Sequence, residues 1–359
     1  MTRHLFRRIR LAGLVALAAA APTGAAPAGA APAGAALAGA PAPPALVLAL
    51  PARGAALDYG NALRTLLLPA FDLANHVRTR TVRLPPTGAA TPVWDITVLD
   101  PGTLGDLCRD GGLAHLDTLP AKLGAGLLPQ AMTPCGVGAF LSSAVLTWDQ
   151  ARLAAAPGWG DFWNVTKFPG QRALPRRPET VLEIALMADG VARGDVYAIL
   201  RSKDGISRAF HKLDQLRPYV VWYDPGQDPV QIVAHGGALM ALAPNDLVTL
   251  DSRKLHRNFG LQWDSAVAWT DAFGIASGSA RKTQAAALIA AATALPMQLQ
   301  VTEETALGGT APADPKTLGP ALAAISPTAH LGSALMLDTG FWEDNGPALR
   351  KRFDAWLKH

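Results

Sequence analysis

The chain has 359 residues, 50% hydrophobic and 17% charged. That is length for about two domains and enough apolar material for a sizeable core, which excludes a wholly disordered chain. The formal net charge of +4 sits at one end. Arg3, Arg7, Arg8 and Arg10 stand in the first ten residues, and the chain beyond residue 40 carries 28 basic against 28 acidic side chains. A neutral body offers no electrostatic footprint for nucleic acid.

In chain order, residues 1–10 form a basic segment and residues 11–22 (LAGLVALAAAAP) an apolar stretch, followed by small residues. A retained membrane anchor needs about 20 apolar residues, so residues 1–26 read as a secretory signal peptide, and a periplasmic location is expected. The pair Arg7-Arg8 hints at a twin-arginine signal. Residues 27–44, a run of Ala, Pro and Gly, cannot form a packed core and read as a tether.

Residues 45–50 (ALVLAL), stopped by Pro51, predict a buried strand. Leu63, Leu66, Leu67 and Phe71 at helical spacing predict a helix over 58–72. Val93 to Leu99 reads as a second strand, ended by Asp100-Pro101-Gly102. A helix is expected over 178–189, with Pro178 in its first turn and Gly190 as C-terminal cap. Another begins near Asp204 as N-cap, with Ile206, Phe210 and Leu213 on one face. Strands follow at 220–222 and 238–242, then an Ala-rich helix over 281–294. The last helix is expected over 346–357, with Leu349, Phe353, Trp356 and Leu357 on one side. This β/α alternation points to parallel sheets covered by helices.

Cys108 and Cys135 are the only cysteines. An even count in an exported chain favours a disulfide over two buried thiols, and the chain-entropy relation gives about 3.5 kcal/mol for a loop of that size. Signatures of catalysis are missing. There is no G-x-S-x-G, and His235-Gly236-Gly237-Ala238 reads best as a plain turn. Gly136-Val137-Gly138 lacks the third glycine of a dinucleotide loop, and the eight histidines show no metal-ligand spacing. No catalytic residue, metal or cofactor is expected. Several tryptophans stand beside carboxylates, as in Trp94-Asp95, Trp263-Asp264, Trp269-Thr270-Asp271 and Trp342-Glu343. Most tryptophans simply pack cores, but an indole face next to a carboxylate also suits an organic cation.

A series of segments, in order, resembles the spermidine/putrescine-type periplasmic solute-binding proteins of ABC transporters. They are WGDFW (159–163), KFPG (167–170), TVLEIALMADG (180–190), RAFHKLD (208–214), WYDPGQ (222–227), LDTGFW (337–342) and RFDAW (352–356). Cys108 and Cys135-Gly-Val-Gly138 resemble a cysteine pair in one branch of that family, placing one cysteine near the start of a short helix and the other just before a crossover strand. The resemblance covers about residues 93–359.

It implies an α/β, two-lobed binding protein of the type II kind, each lobe a sheet flanked by helices, with the ligand cleft between them. Lobe 1 would comprise residues 45–140 and 272–330, and lobe 2 residues 141–271 and 331–359. Such a monomer captures a small solute by closing and delivers it to a permease and its ATPase in the inner membrane. Trp269 and Asp271 match the family's Trp-x-Asp, which packs on and pairs with a polyamine. Glu343 falls where a polar residue meets the ligand, Asn245 matches the Asn of an aromatic-Asn-Gly loop, and Gln227 adds a hydrogen bond. Asp100 and Asp246 complete the candidate ligand set. Some positions depart from the pattern: Pro244 replaces the aromatic, Asp246 the glycine, and Arg176-Arg177 an acidic stretch. Pro51-Ala52-Arg53-Gly54 replaces an aromatic pair. The implied ligand is polyamine-like or another cationic or zwitterionic nitrogen compound. The alternatives are a secreted hydrolase, and a diverged binding protein acting as a sensor or partner-recognition module.

Overall fold

The computed structural model describes residues 45–85, 94–119 and 123–358. The expected signal peptide and tether lie outside these residues. The first elements are β1 (Leu46–Leu50), α1 (Ala55–Leu66), α2 (Leu68–Asn75), β2 (Thr79–Arg83), β3 (Ile96–Leu99) and α3 (Pro101–Arg109). Next come β4 (Gly136–Asp149), α4 (Trp159–Trp163), β5 (Arg172–Pro175), α5 (Val181–Ala188), α6 (Val196–Leu200), α7 (Lys203–Leu216) and β6 (Val220–Tyr223). The chain continues through α8 (Pro229–Ala234), β7 (Met240–Pro244), α9 (Asn245–Leu255) and β8 (Phe259–Ile275). It ends with α10 (Lys282–Ala292), α11 (Leu295–Thr305), α12 (Pro315–Ile325), β9 (Leu335–Met336) and α13 (Thr339–Trp356).

The described strands form one sheet in the order β2-β1-β3-β8-β4-β7-β5-β6, with β9 beside β8. Two parallel triplets, β2-β1-β3 and β7-β5-β6, flank a central antiparallel ribbon of β8 and β4. One end of the ribbon carries β3, which pairs Leu99 with Ala272 and Ile96 with Ile275. The other end carries β7, which pairs Ala144 with Pro244 and Trp148 with Met240. The carboxyl ends of β3 and β7 therefore both point to the middle of the ribbon, where Phe140 faces Asp271 and Ser142 faces Trp269. Open α/β sheets bind ligands beyond the carboxyl ends of their strands, and here two such ends converge.

Each triplet has its own packed core. Leu46, Leu48, Ile96, Tyr59, Phe71, Leu288 and Val301 belong to one, and Leu174, Leu182, Ile184, Phe210, Phe341 and Phe353 to the other. The expected parallel blocks are present, but the ribbon that joins them is antiparallel. Its strands of 14 and 17 residues exceed any strand read from the sequence. β4 is buried along its whole length, so it lacks the polar/apolar alternation that marks a half-exposed strand.

Other boundaries also shift. The helix expected over 58–72 is two helices that break at Leu67, because Pro69 in the first turn of α2 has no N–H to continue α1. The cap of α7 is Ser202, whose hydroxyl accepts from the Gly205 amide at 2.9 Å, and Asp204 lies in the first turn. The last helix starts at Thr339 rather than 346, with the Asp338 carboxylate accepting from the Phe341 amide at 2.8 Å. Gly346-Pro347 looks like a helix start in sequence, but Pro347 lies inside α13. Cys108 and Cys135 form a disulfide with Cα atoms 5.8 Å apart. Cys135 directly precedes β4, as expected, whereas Cys108 is in the last turn of α3, not its first.

Candidate cleft at the middle of the ribbon

Trp269 and Asp271 are two residues apart on β8 and so share one face of the strand. The Trp269 indole N–H donates to Asp271 Oδ2 at 3.2 Å. Asp271 is buried, and its carboxyl is pushed well above the usual range. Burial is the main cause, reinforced by Asp100 and Asp246 and opposed by the Trp269 bond and by Arg177. Asp100 follows β3 and sits one register step beyond the Leu99–Ala272 pair. It is exposed and caps α3, its oxygens accepting from the Thr103 amide at 3.1 Å and hydroxyl at 2.7 Å.

Asn245 and Asp246 open α9 directly after β7. The Asn245 side chain is fully buried. Its Oδ1 accepts from the Ser143 amide at 3.0 Å, and its Nδ2 donates to the carbonyls of Ala306 at 2.8 Å and Ile325 at 3.3 Å. Its amide is spent tying the ribbon to two chain segments beyond β8. Asp246 is also buried, and its carboxyl is pushed up to about 7 by burial and by the charges of Asp58 and Asp228.

Two other sequence candidates have partners within the protein. Gln227 is exposed, and its Oε1 accepts from the Asp224 amide at 2.6 Å, closing its own turn. Glu343 accepts from Arg109 of α3 at 3.2 Å, and its carboxylate rests against Gly105, where an added Cβ would come within 2.4 Å of Oε1. Arg109 thus links the first triplet's helix α3 to α13. A second contact of this kind sets the Arg53 guanidinium, beyond β1, against Gly226, beyond β6, whose φ of +93° suits glycine.

Asp58, in the first turn of α1, acts on Asp246, and Arg109 pairs with Glu343; the sequence reading singled out neither. Their signals were present but unremarkable. Asp58 is an acid in a helix's first turn, and Arg109 is a base in a last turn, both ordinary helix-end residues. Arg177 stands out better. It follows β5, is exposed, forms no ion pair among the described residues, and bears electrostatically on Asp271 and Tyr223.

The sequence profile of the bacterial extracellular solute-binding proteins matches residues 75–318. The chain belongs to that family. The γ-aminobutyric acid-binding protein of Pseudomonas aeruginosa strain PAO1 is 36% identical over 272 residues, covering 73% of this chain and 75% of that protein. The solved structure of a GABA receptor, Atu4243, superposes with a TM-score of 0.75 at 22% identity, covering 88% of this chain and 98% of that one. An ABC transporter substrate-binding protein from Bradyrhizobium japonicum USDA 110 gives a TM-score of 0.75 at 23% identity, over 87% and 99%. These two structures establish the α/β periplasmic binding-protein fold. The solute-binding protein described here is therefore a binding protein and not an enzyme, which sets aside the secreted-hydrolase alternative. The family shown is broader than the spermidine/putrescine branch.

Proposed function

We propose that this is the periplasmic solute-binding subunit of an ABC importer, carrying a small solute with a charged amino group, in the class of ω-amino acids such as γ-aminobutyrate. The observation that supports this ligand class is Asp271, a buried carboxylate beside the Trp269 indole, where the carboxyl ends of β3 and β7 converge. An indole face and a carboxylate suit an ammonium group and its adjoining methylenes. Arg177, with no ion pair of its own among the described residues, would face a carboxylate at the ligand's other end. The P. aeruginosa relative, named for γ-aminobutyrate, supports a zwitterion over a polyamine.

In this reading, residues 45–140 and 272–330 form one lobe, and residues 141–271 and 331–359 the other. The lobes close over the ligand, and the closed monomer is offered to the permease and ATPase. Calorimetry of the exported protein against γ-aminobutyrate, putrescine, spermidine and a neutral sugar tests the ligand. γ-Aminobutyrate is expected to bind most tightly. Binding of the sugar or of a simple anion, with no amine bound, would remove the amine reading and leave the fold intact.

A further inference from the structure

Asp246 stands out because its side chain is 2% exposed while its Oδ1 has no hydrogen-bond partner. Buried carboxylate oxygens are nearly always paired, so a lone one calls for a proton, a cation or a donor. The groups that bear on Asp246 come from several elements. The charges of Asp58 in α1 and Asp228 at the N-cap of α8 act on it, and it acts in turn on Asp271 of β8. Behind these, Asp100 acts on Asp271 and Asp251 on Asp228, while the positive charge of Arg177 acts on Asp271 in the opposite sense. No ion pair joins Asp58, Asp228 or Asp246 to a Lys or Arg among the described residues. Carboxylates on α1, α8 and β8 thus bear electrostatically on Asp246, whose buried Oδ1 has no partner.

Building on the proposed reading of the cleft, we infer that Asp246, supported by the charge of Asp58, is a second anchor for the ligand's ammonium group beyond Asp271, and that capture of a primary ammonium there expels a proton. The proton balance is simple. Without ligand, the Asp246 carboxyl holds a proton below about pH 7. The incoming R–NH₃⁺ keeps its three hydrogens and donates one to Oδ1, while the carboxyl proton passes to solvent. An unpaired acceptor demands an N–H, so the site takes primary amines and rejects their trimethylated counterparts, which an indole face alone would accept.

The test is calorimetry of the exported protein with γ-aminobutyrate, in buffers of different ionisation enthalpy. More protons should be released per ligand at about pH 6 than at about pH 8.5, with Asp246 contributing about one and Asp271, whose carboxyl is also raised, adding to the count, and affinity should fall as pH drops below neutrality. Asp246→Asn should lower the release at about pH 6 by about one proton and weaken binding by about tenfold or more. Asp58→Asn, at a half-buried surface position, should weaken binding without threatening the fold. N,N,N-trimethyl-γ-aminobutyrate should bind far more weakly than γ-aminobutyrate. If Asp246→Asn and Asp58→Asn both bind like the wild type, with the same proton release, the inference is overturned while the amine-binding reading stands. If the wild type binds no primary amine, the reading fails and the inference with it. Should Asp246→Asn not fold, the wild-type proton count and Asp58→Asn decide.

Discussion

Asp271 and Glu343 are both carboxylates beside a tryptophan in sequence, and the structure separates them. Asp271 is buried and bonded to Trp269, whereas Glu343 is about one-third exposed and paired with Arg109. Asp271→Asn should weaken amine binding by about ten- to a hundredfold, since a charge-assisted hydrogen bond is worth about 1.5–3 kcal/mol. Glu343→Gln removes only an exposed ion pair, worth about 0–1 kcal/mol, so the affinity measured alongside should change by less than about fivefold. Sequence pairing alone could not tell these apart, because burial and partners come from other parts of the chain. Glu183 presents a different case. It is fully buried in the second core, where its Oε1 accepts from Tyr197 at 2.9 Å and Trp342 at 2.7 Å, and its Oε2 has no partner. Burial raises its carboxyl from 4.5 to about 7. The folded protein therefore keeps a proton that the unfolded chain has already lost, and stability falls as pH climbs through that interval. A shift of that size corresponds to about 3 kcal/mol. Thermal melts at about pH 5 and pH 8 should show this loss, and Glu183→Gln should shrink the difference.

Among the elements, the helices and short strands were legible wherever periodicity and caps agreed. α5 with its Gly190 stop and α10 with its Ala-rich run match the sequence reading to within a few residues. α1 and α2 were read as one because their apolar residues keep a common period across the break, and only Pro69 marks it. The ribbon strands were read only as apolar crossovers, since uniform burial carries no period. The disulfide was accessible from cysteine count and export, but its purpose was not. It fastens the end of α3 to the root of β4, and α3 also presents Asp100 and Arg109 toward the cleft. Replacing both cysteines with serine should lower unfolding stability by about 3.5 kcal/mol, measured by denaturant titration. Mass spectrometry of the unreduced exported protein should show no free thiol.

At the scale of the whole molecule, two parallel triplets, each with its own packed core, flank the ribbon. Contacts such as Arg109–Glu343 and Arg53 against Gly226 join helices and loops from the two triplets on the cleft side. If those contacts form on ligand capture, small-angle scattering should show a smaller radius of gyration with γ-aminobutyrate than without, and an unchanged radius would argue against closure. The fold class was legible because motif order survives divergence. The ligand was not, because cleft chemistry is set by single residues whose burial and partners, as at Asp271, come from distant parts of the chain.

The ribbon also governs how the protein must reach its folded form. Gly136 meets Gly274 and Asp149 meets Phe259, so each partner lies more than about 100 residues further along the chain. Neither triplet can dock onto a finished ribbon until β8 has emerged, and loop closure on that scale is slow. The nascent chain therefore remains without its central sheet for most of its synthesis.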